Sequence, residues 1–199
     1  MKHVAMLFLV TLLAGCSVFP ESPPAQLYRL STPSLDTSLA LSQQKIVEIQ
    51  APTATRLLAS DRIVVWPDTQ QVSVYADSRW FDNTPVMLQH QWKEALITTG
   101  IAQPAGPNEQ SIDARLASEL RDFHIAYLDG TPTAVMQLQL TLFDATSGQR
   151  LASQQFSSRK KAASDDIPAA VAALGNVSEQ VTREMMHWLA QQLAAVGVR

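Results

Sequence analysis

Residues 115–158 read RLASELRDFHIAYL-DGTP-TAVMQLQLTLFDAT-SGQ-RLASQQFSS, three runs separated by two turn signals. Ala134 to Leu142 alternates, with Met136, Leu138, Leu140 and Leu142 on one side and Gln137, Gln139 and Thr141 on the other. That period belongs to a half-buried strand. Arg115 to Leu128 is expected as a long strand in which Leu116 and Leu120 share a face, with a register slip near Phe123. Asp129-Gly130-Thr131-Pro132 and Ser147-Gly148-Gln149 are turn chemistry, and Arg150 to Ser158 is expected as the third strand. Together the runs predict an antiparallel meander with one buried and one wet face.

Upstream, Ile46-Val47-Glu48-Ile49 predicts a strand ended by Pro52, and Ile63-Val64-Val65-Trp66 a second ended by Pro67-Asp68. Gln71 to Ala76 alternates and is expected to pair with the second strand across residues 68–70, until Asp77-Ser78-Arg79 breaks the pattern. Thr84 is the expected N-cap of a helix with Pro85 at its first position. Leu88, Trp92, Ala95 and Leu96 share one face of that helix, Gly100 ends it, and residues 103–108 follow as a loop. Downstream, Asp165-Asp166-Ile167-Pro168 opens a last helix, the carboxylates favouring its positive end. Val171, Leu174, Val177, Val181, Met185 and Trp188 form its apolar stripe, expected to seal the sheet. The predicted fold is α+β: a single domain over residues 45–199, in the order βββαβββα. Its antiparallel sheet has about five to six strands, with two helices packed on one face.

The chain of 199 residues opens with Lys2, an apolar run from Val4 to Leu13, and small residues before Cys16. This is the layout of a secretory signal peptide, so residues 1–15 are expected to be removed. Leu13-Ala14-Gly15-Cys16 resembles the lipobox of bacterial lipoproteins, in which cleavage leaves the Cys first in the mature chain. The resemblance implies a thioether-linked diacylglycerol and an N-acyl chain on Cys16. One chain anchors marginally at about 0.8 kcal/mol per buried CH₂, whereas two or three make release negligible. Ser17, in place of the Asp that commonly retains such proteins at the inner membrane, implies sorting to the outer membrane. Residues 16–44 are expected to be the lipidated terminus and a Pro/Ser-rich spacer, with a candidate edge strand at 27–30. The stretch Ser17 to Gln26, at about 3.3 Å per residue, reaches at most about 33 Å.

Composition closes off several classes. Cys16 is the only cysteine, which excludes an intramolecular disulfide or a cysteine metal cluster. The formal charge is −3, more acidic still without Lys2, and argues against a nucleic-acid partner. No later run approaches the roughly 18–20 apolar residues of a membrane span. GxSxG, P-loop, HExxH and dinucleotide-turn motifs are absent, so no catalytic residue, metal site or bound cofactor is expected. Asp122 and His124 lie on one strand face and read as a hydrogen-bonded surface pair before a metal or acid/base pair. Asp165-Asp166 reads as a helix start before a carboxylate dyad, and Arg159-Lys160-Lys161 as a solvated loop before a lipid-headgroup contact. Arg79, Trp80 and Phe81, at a loop–helix junction, are candidates for partner docking, but the two aromatics read as a staple on the core before a docking anchor, with Arg79 undecided.

A series of features in fixed order resembles a known family, the PqiC-like auxiliary lipoproteins of MCE-type ABC transporters. It runs from the lipobox and Tyr28-Arg29-Leu30 through Ile46-Val47-Glu48-Ile49 with Pro52 and Arg62-Ile63-Val64-Val65. It continues through Val74-Tyr75, Arg79-Trp80-Phe81, the Pro85 helix and the late strands at 116–123, 136–143 and 148–156. The resemblance implies a non-catalytic periplasmic domain held at the outer membrane. It implies an MCE-domain tunnel protein as partner and the passage of phospholipid or another apolar molecule across the envelope, supporting membrane integrity. Assembly with further copies of the chain stays open. The alternatives are a lipoprotein that itself binds a lipid monomer as shuttle or chaperone, and an envelope hydrolase with unrecognised residues, for which Asp122 and His124 are the positions to test.

Overall fold

The computed structural model describes residues 24–35, 39–41 and 45–196. In chain order its elements are β1 (Gln26–Tyr28), β2 (Lys45–Ile49), β3 (Thr53–Ala54), β4 (Arg62–Trp66), β5 (Ser73–Trp80) and α1 (Thr84–Thr99). They continue with β6 (Ala102–Pro104), β7 (Ala114–Leu128), β8 (Thr131–Asp144), β9 (Arg150–Lys161) and α2 (Ile167–Val196). The expected meander is present: β7 pairs antiparallel with β8 from Ala114 opposite Asp144 to Leu128 opposite Thr131, and β8 pairs antiparallel with β9. Asp129 and Gly130 make the first turn, both at positive φ (52° and 71°). This backbone twist suits tight hairpins, and Asp-Gly adopts it at least cost. At the second turn Asp144 Oδ1 accepts hydrogen bonds from the Ser147 amide and hydroxyl, each at 2.7 Å. These bonds hold the Asp144 carboxyl below the usual carboxylate range.

The other edge of β7 carries three short strands end to end, all parallel to it. β2 sits opposite Ala114–Leu116, β3 opposite Glu119–Leu120, and β4 opposite Ile125–Ala126. β6 adds to β2 in parallel, while β5 pairs antiparallel with β4 and β1 adds in parallel to β5. The sheet is therefore mixed, with nine strands among the described residues, rather than antiparallel with five or six. Alternation in sequence reports which face is buried and is silent about the direction of the neighbouring strand. β5 likewise runs through Asp77-Ser78-Arg79 instead of breaking there, because β1 supplies a ladder along Ser78–Trp80. β6 takes up part of the segment expected as a loop at 103–108.

The register slip expected near Phe123 falls at Arg121, since Leu120 faces Leu138 and Asp122 faces Gln137. One extra residue inverts side-chain parity. Leu116 and Leu120 before the bulge, and Phe123 and Ile125 after it, thereby enter one core.

Asn83, not Thr84, caps α1; the Thr84 amide and hydroxyl instead both donate to Ser60 O at 3.2 Å. Pro85 stays in the first turn, where its missing N–H leaves no bond unmade. Gly100 ends the helix at φ 68°, and a Cβ added there would lie 3.2 Å from that of Ala40. Asp166 Oδ1 accepts from the Ala169 amide at 2.8 Å and caps α2. The 30 residues of α2 span about 45 Å, close to the roughly 50 Å of a 15-residue strand. Its expected stripe, including Leu174, Val177, Val181 and Met185, is buried in the same core as Met136, Leu138, Leu140 and Leu142 of β8. Each such side chain contributes about 1.5–3 kcal/mol by leaving water.

A polar bolt joins the two helices inside this core. The buried Gln91 of α1 accepts through Oε1 from Ser178 Oγ at 2.6 Å and Thr182 Oγ1 at 3.4 Å, both on α2. Its Nε2 donates to Ser31 O at 3.2 Å. Replacing Gln91 with Leu keeps the volume but strands the Ser178 hydroxyl. The expected loss is about 1–3 kcal/mol in urea unfolding. Combining Gln91→Leu with Ser178→Ala should cost less than the two single changes added together.

Candidate functional site

The chain leaving β1 crosses the helices as a strap. Besides the Gln91 bond to Ser31 O, the Ser34 amide donates to Glu179 Oε1 of α2 at 3.3 Å, and Pro33 is buried. Between this strap and α1 lies an open cleft of about 300 Å³. Leu30, Pro33 and Met87 give it an apolar floor; Arg29, His90 and Glu94 stand around its mouth, with Asp82 and Phe81 at one end.

The three docking candidates separate by strand alternation. Trp80 is 2% exposed, in ring contact with Phe123 at 5.8 Å, and belongs to the core. Burial withdraws Trp80 from any partner's reach. Arg79 Nη1 donates to Asp61 Oδ2 at 3.1 Å, an ion pair about a third exposed, worth at most about 1 kcal/mol in that setting. Phe81 is 66% exposed at the cleft, its amide donating to Tyr28 O at 2.8 Å. Phe81 alone of the three lines the cleft. Cys16 and Ser17 lie outside the described residues.

The cleft also gathers residues outside the docking triad: Arg29, Asp82, Met87, His90 and Glu94. Met87, His90, Gln91 and Glu94 are spaced by three, one and three. That is a helical stripe beside the core stripe of α1, and it was the available signal.

Asp122 and His124 do not form the expected hydrogen-bonded surface pair. His124 is 3% exposed, and its Nδ1 stands 3.6 Å from Asp122 Oδ1 without a hydrogen-bond partner. The Trp66 indole lies flat on the imidazole, with centroids 3.9 Å apart and planes within 13°. The face of the meander expected to be wet is thus closed at this end. Burial lowers the His124 pKa, opposed by the Asp122 charge and reinforced by that of Arg159. Among the described residues no three His, Cys, Asp or Glu side chains are grouped to hold a metal ion. Asp166 acts as a cap, and accepting from the Ala169 amide and the Ser164 hydroxyl lowers its pKa. Arg159-Lys160-Lys161, expected as a loop, is the end of β9.

A family model described as ABC-type transport auxiliary lipoprotein component matches residues 28–186. The chain belongs to that family. It is accordingly an auxiliary lipoprotein of ABC-type transport, a membrane-anchored envelope protein associated with an ABC transporter. Protein XCC0632 from Xanthomonas campestris has a similar fold, with TM-score 0.79 and 23% identity over 87% of this chain and 100% of that one. The crystal structure of a further uncharacterised protein gives TM-score 0.64 and 17% identity over 84% and 99%. Protein CT253 from Chlamydia trachomatis gives 0.55 and 9% over 77% and 99%. No curated protein matches the sequence significantly.

Because folding lowers the His124 pKa, the unfolded chain binds a proton in the pH range just below about 6.5 that the folded chain refuses. Stability should therefore be unaffected by His124 above that pH and fall as pH drops through it. The fall should level off once the folded histidine also titrates. The carboxylates of Asp144 and Asp166 lose their contribution only nearer their ordinary value of 3.8. Melting temperatures at pH 7.5 and 5.5 should thus differ in the native protein, and the difference should shrink in His124→Gln.

Proposed function

We propose that this auxiliary lipoprotein is anchored at the outer membrane, faces the periplasm, and serves an MCE-type ABC system that moves phospholipid or another apolar molecule. The observation that carries the reading is the family match across nearly all of the folded domain, downstream of a lipobox-like Leu13-Ala14-Gly15-Cys16. In it, residues 1–15 are removed and Cys16 carries diacylglycerol and an N-acyl chain. Ser17 permits outer-membrane sorting, the residues before β1 lead from the lipid to the fold, and β1 with the strap joins residues 45–199 in the periplasmic domain. The chain contributes no catalysis; ATP hydrolysis and passage of the substrate belong to the partner subunits, an MCE-domain tunnel protein among them.

The cleft argues for an adaptor over a lipid shuttle. Its volume of about 300 Å³ is at the floor of the range for small-molecule pockets.

Two measurements bear on this. Cys16→Ser should lose radiolabelled palmitate and shift the protein from the envelope pellet to the soluble fraction. Tagged native protein, crosslinked in cells and purified in detergent, should bring down an MCE subunit. Labelled protein that never does so would leave the anchor standing and remove the MCE partnership.

A further inference from the structure

β9 closes one margin of the sheet. It pairs with β8 and, among the described residues, with no other strand. At 12 residues it is about twice the usual strand length, and an open edge offers unpaired N–H and C=O groups to any strand that approaches. Ser153, Gln154, Gln155 and Ser157 along its middle are exposed and uncharged. Arg150 stands at one end and Arg159, Lys160 and Lys161 at the other, all exposed, and the strand holds no carboxylate. None of these four cations enters an ion pair among the described residues.

This charge distribution selects the occupant. Antiparallel pairing of β9 with β9 of a second copy, centred on the strand's midpoint, would set Arg150 against Lys161 at both ends. Parallel pairing in register would lay all four cations against their copies. Like charges placed opposite one another destabilise a strand pair, so self-addition is disfavoured in either direction. A strand carrying carboxylates opposite residues 159–161 gains where a second copy loses.

We propose that the free edge of β9 is a β-addition site for an extended, acidic segment of a partner protein. Backbone hydrogen bonds along Ala152–Ser158 supply the strand pairing, and Arg159, Lys160 and Lys161 set direction and register. The proposal needs neither the lipid anchor nor the MCE partnership, so it can fail without touching either.

The probe is a fluorescent ten-residue peptide of alternating Thr and Val with three Glu at one end, alongside versions with three Lys or three Ser. Binding to the detergent-solubilised protein is read by anisotropy at low salt. The Glu peptide should bind about tenfold tighter than the Ser peptide and lose that margin in high salt. Reversing Arg159, Lys160 and Lys161 to Glu should switch the preference to the Lys peptide. Hydrogen exchange should slow in β9 when the Glu peptide binds. Equal affinity for all three peptides would mean the cations merely guard the edge and would overturn the proposal. So would protection appearing elsewhere than β9, or β9 protection that rises with protein concentration without peptide.

Discussion

Everything in this domain is built on β7, because it is paired along both edges. One edge holds β8 over its whole length, so the hairpin with the Asp129-Gly130 turn is a single cooperative ladder. The other edge holds β2, β3 and β4 in succession. β3, with two residues, is far too short to persist alone, and short strands gain their order from a neighbour that is already straight. The bulge at Arg121 is what allows one strand to play both parts. Without it, Phe123 and Ile125 would turn away from the helices and His124 would turn toward them, splitting the core that Leu116 and Leu120 begin.

The same bulge explains why one end of the meander is dry on both faces. With Phe123 committed to Trp80 and the helices, His124 and Ala126 face the opposite side, and Trp66 from β4 folds over them. An imidazole under an indole is withdrawn from bulk solvent. That is why the His124 pKa is lowered and why Asp122, beside it on the same strand face, stands 3.6 Å from its Nδ1 without forming a surface pair.

What the sequence disclosed, and what it hid, follows from this architecture. The alternation of Met136 to Leu142 and the stripe from Leu174 to Met185 were legible because each lies within one continuous window facing one surface. The change of parity between Leu120 and Phe123 was legible for the same reason. The parallel partners of β7 were not: β3 and β6 have too few residues to show a period, and their neighbours come from across loops or across α1. The cleft was hidden more deeply, because its walls come from residues 29–33 and from α1, far apart in the chain. Within the docking triad the alternation of β5 was the missing constraint. Once β5 is known to continue to Trp80, the residues on either side of it must turn outward, and Phe81 reaches the cleft while Trp80 reaches Phe123.

The placement of the two sheet margins gives the proposed anchor a mechanical meaning. Crossing the sheet from β1 through β5, β4, β7 and β8 to β9 takes about 24 Å at some 4.8 Å per strand. In the proposed anchoring the chain reaches the sheet at the β1 margin, whereas the free edge of β9 lies at the other. A tether restrains one margin and leaves the other free to point away from the bilayer, so anchoring and strand addition do not compete for the same surface. The strap at 31–34 adds the stiffness this needs. Pinned to Gln91 and Glu179, it follows β1 in the chain, so a pull that peeled the three residues of β1 would be stopped at both helices.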